Sequence, residues 1–279
     1  MTMWGLFTST WQVEPTVIAG CGALFTAYTV AVLSTSRRHG AAPVNPPRAA
    51  VFLLGVLILL LALISPLDTL GDGYLFSAHM VQHLLLVLVV PPLLLLGVPP
   101  ALGERLLSWP LAARMERALG QPLVAWTLGV GTLWAWHAPA LYNAALQNEG
   151  VHVVQHLLFL VTSTIFWWPV IVPTAHRRLL PLAALLYLFT AGGANSVLGI
   201  ILTFTPPGLY PFYLRPADPL GILPLLRDQW GLSPAADQQV GGVLMWIAGS
   251  PIYLCAVLVT LARWFGEPDD DLRRNLHAA

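Results

Sequence analysis

The sequence predicts an all-α, polytopic membrane protein: a bundle of seven transmembrane helices with its N-terminus outside and its C-terminus cytoplasmic. Three observations predict this. Hydrophobic residues fill 57% of the 279 positions and charged residues 9%, with a mean hydropathy of +0.71, whereas a soluble domain carries about 25% charged residues. Seven apolar stretches approach or exceed the ~20 helical residues that cross a hydrocarbon layer of about 30 Å. Arginine is the only basic residue type present, and it collects at one end of those stretches.

Taken in order, the first span covers 15–36. Glu14 is the only charge before it, and without a basic segment ahead of the apolar run no cleaved signal peptide is expected. The second span covers 48–65 and the third 75–96, with Pro91 and Pro92 expected to kink or end it near the inner surface. Residues 100–120 mix Glu104, Arg105, Arg114, Glu116 and Arg117 with leucine and alanine, the pattern of an amphipathic helix lying on the membrane. The fourth span, 121–137, is short and depends on its neighbours; the fifth and sixth cover 152–172 and 180–203. Residues 204–237 hold Pro206, Pro207, Pro211, Pro216, Pro219, Pro224 and Pro234, too many for a regular helix. They read as a folded loop capping the outer face. The seventh span covers 238–264. Residues 1–265 thus form one seven-helix domain, and 266–279, with Asp269, Asp270 and Asp271, a solvated and disordered cytoplasmic tail. No internal repeat or second domain is evident.

Orientation follows from the arginines, which favour the cytoplasmic side in short connections. Arg37, Arg38, Arg48, Arg105, Arg114, Arg117, Arg177, Arg178, Arg263, Arg273 and Arg274 fall on one side. Only Arg215 and Arg227 fall on the other, among Glu14, Asp68, Asp72, Glu149, Asp218, Asp228 and Asp237. The net charge is zero and the arginines are scattered, so nothing points to nucleic acid.

This orientation makes the histidines informative. His79 and His83 stand four apart in the outer part of span three, on one helix face about 6 Å apart along the axis. His152 and His156 repeat the spacing at the outer end of span five, and His137 closes span four on the same side. Ionisable groups at such depth face a partner, a cavity or the bundle interior. Neutral imidazole is a common transition-metal ligand, and i, i+4 pairs on facing helices build metal sites in bundles. Two readings therefore stand: a metal or haem site, or an interhelical hydrogen-bond network. His39, His176 and His277 lie in cytoplasmic segments and receive no role.

Metal-bound histidines hand their second nitrogen to a carboxylate or carbonyl, which makes Asp72 and Asp237 candidates for support, as well as candidates for helix N-caps. Gln238, Asn195 and Met245 complete the supporting set, while Met80, off the histidine face, reads as packing. Cys21 and Cys255 fall in opposite halves of distant spans and share no site; neither CxxC nor CxxCH occurs. Trp4 and Trp11 outside, and Trp167, Trp168 and Trp264 inside, match interfacial aromatic belts. Gly129, Gly131, Gly192, Gly193, Gly241 and Gly242 suit close helix approach. No catalytic triad, phosphate loop or hydrolytic zinc motif is present, which argues against an enzyme.

The ordered motifs resemble a known family. His79-Met80-Val81-Gln82-His83 with Pro91-Pro92 and Gly97-Val98-Pro99, then Trp136-His137-Ala138-Pro139 with Leu141-Tyr142, are similar to the polytopic bacterial cytochrome c oxidase assembly factors of the CtaG family. His152-Val153-Val154-Gln155-His156 with Phe166-Trp167-Trp168-Pro169, and Asp237-Gln238-Gln239-Val240-Gly241-Gly242 with Met245-Trp246, extend the resemblance over roughly residues 65–250. It implies a seven-helix protein of the bacterial cytoplasmic membrane that helps mature a haem–copper oxidase, with an oxidase subunit as partner and copper as the metal handled. On that reading His79, His83, His137, His152 and His156 bind copper at the outer face and help deliver it. The alternatives are a bis-histidine haem protein and a copper or proton transporter.

Overall fold

The computed structural model describes residues 3–39, 45–174 and 178–266. His176, Arg177 and the tail residues 267–279, with Arg273, Arg274 and His277, lie outside the described residues. Among the described residues every regular element is a helix: α1 (Met3–Ser9), α2 (Pro15–His39), α3 (Pro46–Ile64) and α4 (Pro66–Gly73) come first. Next come α5 (Phe76–Leu84), a π turn (Leu85–Val89) and α6 (Val90–Gly97), which run on as one rod. Then follow α7 (Pro100–Leu107), α8 (Pro110–Leu119), α9 (Pro122–His137), α10 (Pro139–Gln147), α11 (Glu149–Ile171) and α12 (Pro181–Phe204). The last rod joins α13 (Pro234–Val243), a π turn (Leu244–Ala248) and α14 (Ser250–Gly266).

Proline sets the starts. α2, α3, α4, α7, α8, α9, α10, α12 and α13 all open on it, because its fixed φ suits the first helical residue and its missing N–H would have had no partner there. Asn45, Ser65, Asn148 and Ser233 add side-chain caps to α3, α4, α11 and α13. Pro110 likewise divides the expected surface helix 100–120 in two. α8 buries no residue, and α7 is tied to α2 where Arg105 Nη1 donates to Ser34 Oγ and Thr35 Oγ1, each at 2.9 Å.

Among the described residues six helices are long and apolar enough to cross a membrane: Pro15–Thr35, Pro46–Ile64, Phe76–Gly97, Glu149–Ile171, Pro181–Phe204 and Pro234–Gly266. The protein is therefore a multi-pass membrane protein. The one expected span outside these six, the fourth, corresponds to α9, whose 16 residues reach about 24 Å at 1.5 Å per residue. It packs along α11, as α3 packs along α6.

Pro91 and Pro92 do not end the third span. Pro91 lacks the N–H that would bond the Val87 carbonyl four residues back, and the chain takes up the defect as the π turn just before it. The Trp167 indole then donates to Val87 O at 3.0 Å. Leaving such a buried carbonyl unpaired would cost about 1–3 kcal/mol. Trp167 is thus a fully buried tie between α11 and the π turn, not part of an interfacial belt. Trp4 and Trp11 are exposed, as a belt requires. Of the expected close-approach glycines, Gly129 lies against Phe166 and Gly242 against the Thr203 backbone, so closely that a methyl at either would collide; Gly131 and Gly193 face open space.

The 204–237 segment folds back over the end of the bundle where the histidines lie. It contains a 3-10 turn (Pro211–Leu214) and a π turn (Leu225–Gln229). Asp218 accepts from the Ile222 and Leu223 amides, and Arg227 donates to the Tyr213 and Leu232 carbonyls. Ile222 and Leu226 bury themselves with Leu6, Leu70, Tyr74, Leu75 and Ala78 in a second, smaller core. That core fixes α1, α4 and the loop over the helix ends where the histidines lie.

Candidate metal centre

α4 carries Asp68 and Asp72 on successive turns. Gly71 lies against the start of the next helix so tightly that a Cβ there would come 3.0 Å from the His79 Cα. This close approach seats Asp72 beside the first histidine. α5 presents His79 and His83 on one face, α9 ends with His137, and α11 presents His152 and His156.

The three helices bring all five rings together. Ring centroids are 4.3 Å apart for His79–His83, 5.3 Å for His79–His152, 5.9 Å for His79–His156, 5.8 Å for His83–His156, 5.3 Å for His83–His137 and 4.1 Å for His152–His156. Two ligand triads result, each with its atoms within 4.8 Å of one another: His79, His83 and His156, and Asp72, His79 and His152. His79 belongs to both, and His137 to neither.

Hydrogen bonds at Nδ1 decide which nitrogens are free. Tyr213 Oη donates to Gly71 O at 2.8 Å and stands 3.2 Å from His79 Nδ1, which lies 3.4 Å from the same carbonyl. With the tyrosine proton on the carbonyl, His79 Nδ1 carries its own proton and Nε2 keeps the lone pair. His137 Nδ1 lies 2.7 Å from Leu133 O, with the same consequence. His152 Nδ1 is 3.3 Å from Asp72 Oδ2, and His79 Nδ1 is 3.8 Å from Asp72 Oδ1. Asp72 therefore sits where the sequence placed a supporting carboxylate.

The Nε2 atoms of His79, His83, His137, His152 and His156 are all buried without a hydrogen-bond partner, as is His83 Nδ1. A buried polar atom left unpaired costs about 1–3 kcal/mol, and five on one cluster is a cost that coordination of a cation offsets. The donor set, imidazole with one carboxylate and no thiolate, fits a borderline transition metal.

Aromatic rings close the cluster. Phe159 packs 4.6 Å from His83, and Tyr142 lies 5.3 Å from His79, centroid to centroid. The 204–237 loop lays Tyr210 and Tyr213 on top; Tyr210 Oη donates to His137 O at 2.7 Å. His79 and His83 are 0% exposed, whereas the Asp72 side chain is 31% exposed and His156 is also partly exposed. Burial, then the charges of Asp68 and Glu149, push the Asp72 carboxyl up to about 8. Burial also pushes Asp68 up to about 6, against a hydrogen bond from Gln82 that lowers it.

The other expected supporters do different work. Asp237 accepts from Phe76 N at 2.8 Å, Ser77 N at 3.0 Å and Ser77 Oγ at 2.6 Å. It caps α5 from a neighbouring helix, so it positions His79 and His83 instead of bonding an imidazole. Gln238 donates to Thr205 O and Asn195 to Met245 O, each at 2.7 Å. These bonds join α12 to the last rod, and the Met245 contribution is its carbonyl. Met80 packs toward Gly241, as its place off the histidine face implied.

Sequence reasoning missed Tyr142, Tyr210, Tyr213, Phe159 and Gln82. Gln82 Nε2 donates to Asp68 Oδ1 at 2.7 Å and Ala62 O at 2.9 Å, locking α5 onto α3 and α4. A signal for it was present: both histidine pairs read His-x-x-Gln-His, with Gln82 and Gln155 in equivalent places. The aromatic contacts depend on how the loop folds back, which no local pattern encodes.

The sequence model of the cytochrome c oxidase caa3 assembly factor family (Caa3_CtaG) matches residues 26–267. An uncharacterized protein of Mycobacterium leprae is 25% identical over 274 residues, covering 92% of this chain and 40% of the relative. Uncharacterized proteins of Mycobacterium bovis and Mycobacterium tuberculosis are each 24% identical over 270 residues, covering 91% of this chain and 39% of the relative. The chain thus spans about two fifths of the length of the curated relatives it matches. No solved structure matches it.

Proposed function

The chain belongs to the cytochrome c oxidase caa3 assembly factor family, and from that premise we propose that it binds copper as cargo through its histidine cluster and helps deliver it to an oxidase subunit. The observation that carries this reading is the set of five buried imidazole Nε2 atoms, none with a hydrogen-bond partner, gathered from three helices. His79, His83 and His156 hold the ion; Asp72 and His152 complete the set toward water. Histidine without thiolate gives way to softer cysteine and methionine ligands, which suits a donor that must release its metal. A bis-histidine haem fits less well, because Phe159, Tyr142 and Tyr213 fill the space a porphyrin would need between two imidazoles.

The proposed topology has seven spans, with α9 as a short fourth, the N-terminus outside and the C-terminus in the cytoplasm of a bacterial cell. The arginine asymmetry supports it: Arg105 binds α2 near its end, and Arg48 binds the Leu96 and Val98 carbonyls, so both mark the end of the bundle opposite the histidines. The cluster then faces the outer side, where a copper centre of an oxidase subunit would be loaded. The test is the copper content of oxidase assembled in cells that carry His83→Ala. The proposal expects oxidase subunits that are made and inserted but deficient in copper. Fully metallated oxidase in that strain would reject it.

A further inference from the structure

We propose that the cluster holds one copper ion in two overlapping positions: an outer capture position of Asp72, His79 and His152, and an inner holding position of His79, His83 and His156. This deepens the copper-binding reading and rests on it. The two triads are separate ligand sets that share a single residue, and each has one partly exposed member, Asp72 in the outer and His156 in the inner. The Asp72 side chain is 31% exposed, whereas the Nε2 atoms of His79, His83 and His156 are all buried, although the His156 residue as a whole is partly exposed. An arriving hydrated cation meets the carboxylate first.

His79 can serve both positions because its nitrogens differ. Nδ1 faces Asp72, at 3.8 Å from Oδ1, and Nε2 is buried without a partner. An ion at the outer position takes Nδ1 and displaces the proton that Gly71 O and Tyr213 Oη otherwise accept. An ion at the inner position takes Nε2, the Nδ1 proton returns, and its hydrogen bond is restored. The inner position also replaces a carboxylate with a third imidazole, the better donor for copper. Capture is therefore outside and retention inside, and on transfer the bond to His79 Nδ1 breaks and one to His79 Nε2 forms. No electron is transferred: one metal–ligand set is exchanged for another, and the proton displaced on capture is regained on transfer.

The test follows uptake of Cu(II) by the purified full chain in nanodiscs, with rapid freeze-quench electron paramagnetic resonance for the ligand set and metal analysis after desalting for final occupancy. Wild type should show an early signal from mixed oxygen and nitrogen ligation that converts to an all-nitrogen signal. Asp72→Asn should slow uptake about tenfold, a barrier change of ~1.4 kcal/mol, and still reach full occupancy. His156→Ala should keep the early uptake rate and the early signal but lose its metal on desalting. His152→Ala and His83→Ala repeat the outer and inner arms should either first variant misfold. A single signal in wild type, or proportional loss of rate and occupancy in both arms, overturns the two-position arrangement while leaving copper binding intact. A wild type that takes up no copper overturns the underlying reading as well.

Discussion

Asp237→Ala separates a positioning residue from a metal-bonded one. The carboxylate accepts three hydrogen bonds at the start of α5, from Phe76 N, Ser77 N and Ser77 Oγ. The two amides belong to the first turn, where no intrahelical acceptor exists. Leaving both unpaired costs about 2–6 kcal/mol at ~1–3 each, and the carboxylate no longer desolvated returns part of that. A loss of about 3 kcal/mol results, above the ~0.5–2 of an exposed N-cap, because this one is buried. Asp237→Asn keeps an acceptor and should lose about half as much; Ser77→Ala removes one side-chain bond and should lose ~1 kcal/mol. Reversible unfolding in mixed micelles, followed by far-ultraviolet circular dichroism, measures the series, with copper per folded molecule measured beside it. Stability should fall in the order given while folded molecules keep their copper. Copper lost from Asp237→Ala at unchanged stability would refute the capping account.

Four further outcomes follow. His79→Ala, His83→Ala and His156→Ala should each strip copper from the purified protein, whereas His176→Ala and His277→Ala should not; metal analysis decides. Asp72 holds a proton in the folded chain up to about pH 8 but only to about 3.9 unfolded, so its contribution to metal-free stability is greatest at low pH and falls as pH rises from ~4 to ~8. Melting of Asp72→Asn and wild type across that range should show an advantage for the variant that grows with pH. Gly242→Ala, whose methyl would collide with the Thr203 backbone, should cost about 1–3 kcal/mol. Gly131→Ala, facing open space, should be neutral or gain up to ~1 kcal/mol in the same unfolding assay. In a chain freed of Cys21 and Cys255, Ser233→Cys should react with an impermeant thiol reagent in intact cells and Ser108→Cys should not; the reverse pattern would invert the proposed topology.

The apolar stretches, the arginine distribution and the two histidine pairs were legible in the sequence because each is a local pattern with one physical cause. Proline marks many helix starts, yet the expected bounds did not use it: the last rod opens at Pro234, which read as part of the loop. Less legible was anything fixed by a partner far along the chain. Pro91 read as a kink or a stop because its missing N–H was visible and the Trp167 indole that satisfies Val87 O, 80 residues away, was not. Asp237 was a cap in one reading and a histidine partner in the other; only packing of α13 on α5 decides. Short helices such as α1, α4 and α10 were missed because their apolar faces are too brief to show a period and are buried by the loop. For the same reason Tyr142 and Tyr213 carried no sign of standing over the histidines.

Copper K-edge X-ray absorption on the copper-loaded full chain, compared with a variant in which His79, His83, His137, His152 and His156 are all alanine, tests the central claim most directly. The loaded chain should show a first shell of nitrogen and oxygen only, with the multiple scattering of imidazole rings, and the five-histidine variant should retain no specific copper. A sulfur shell, or equal copper in the two proteins, would contradict it.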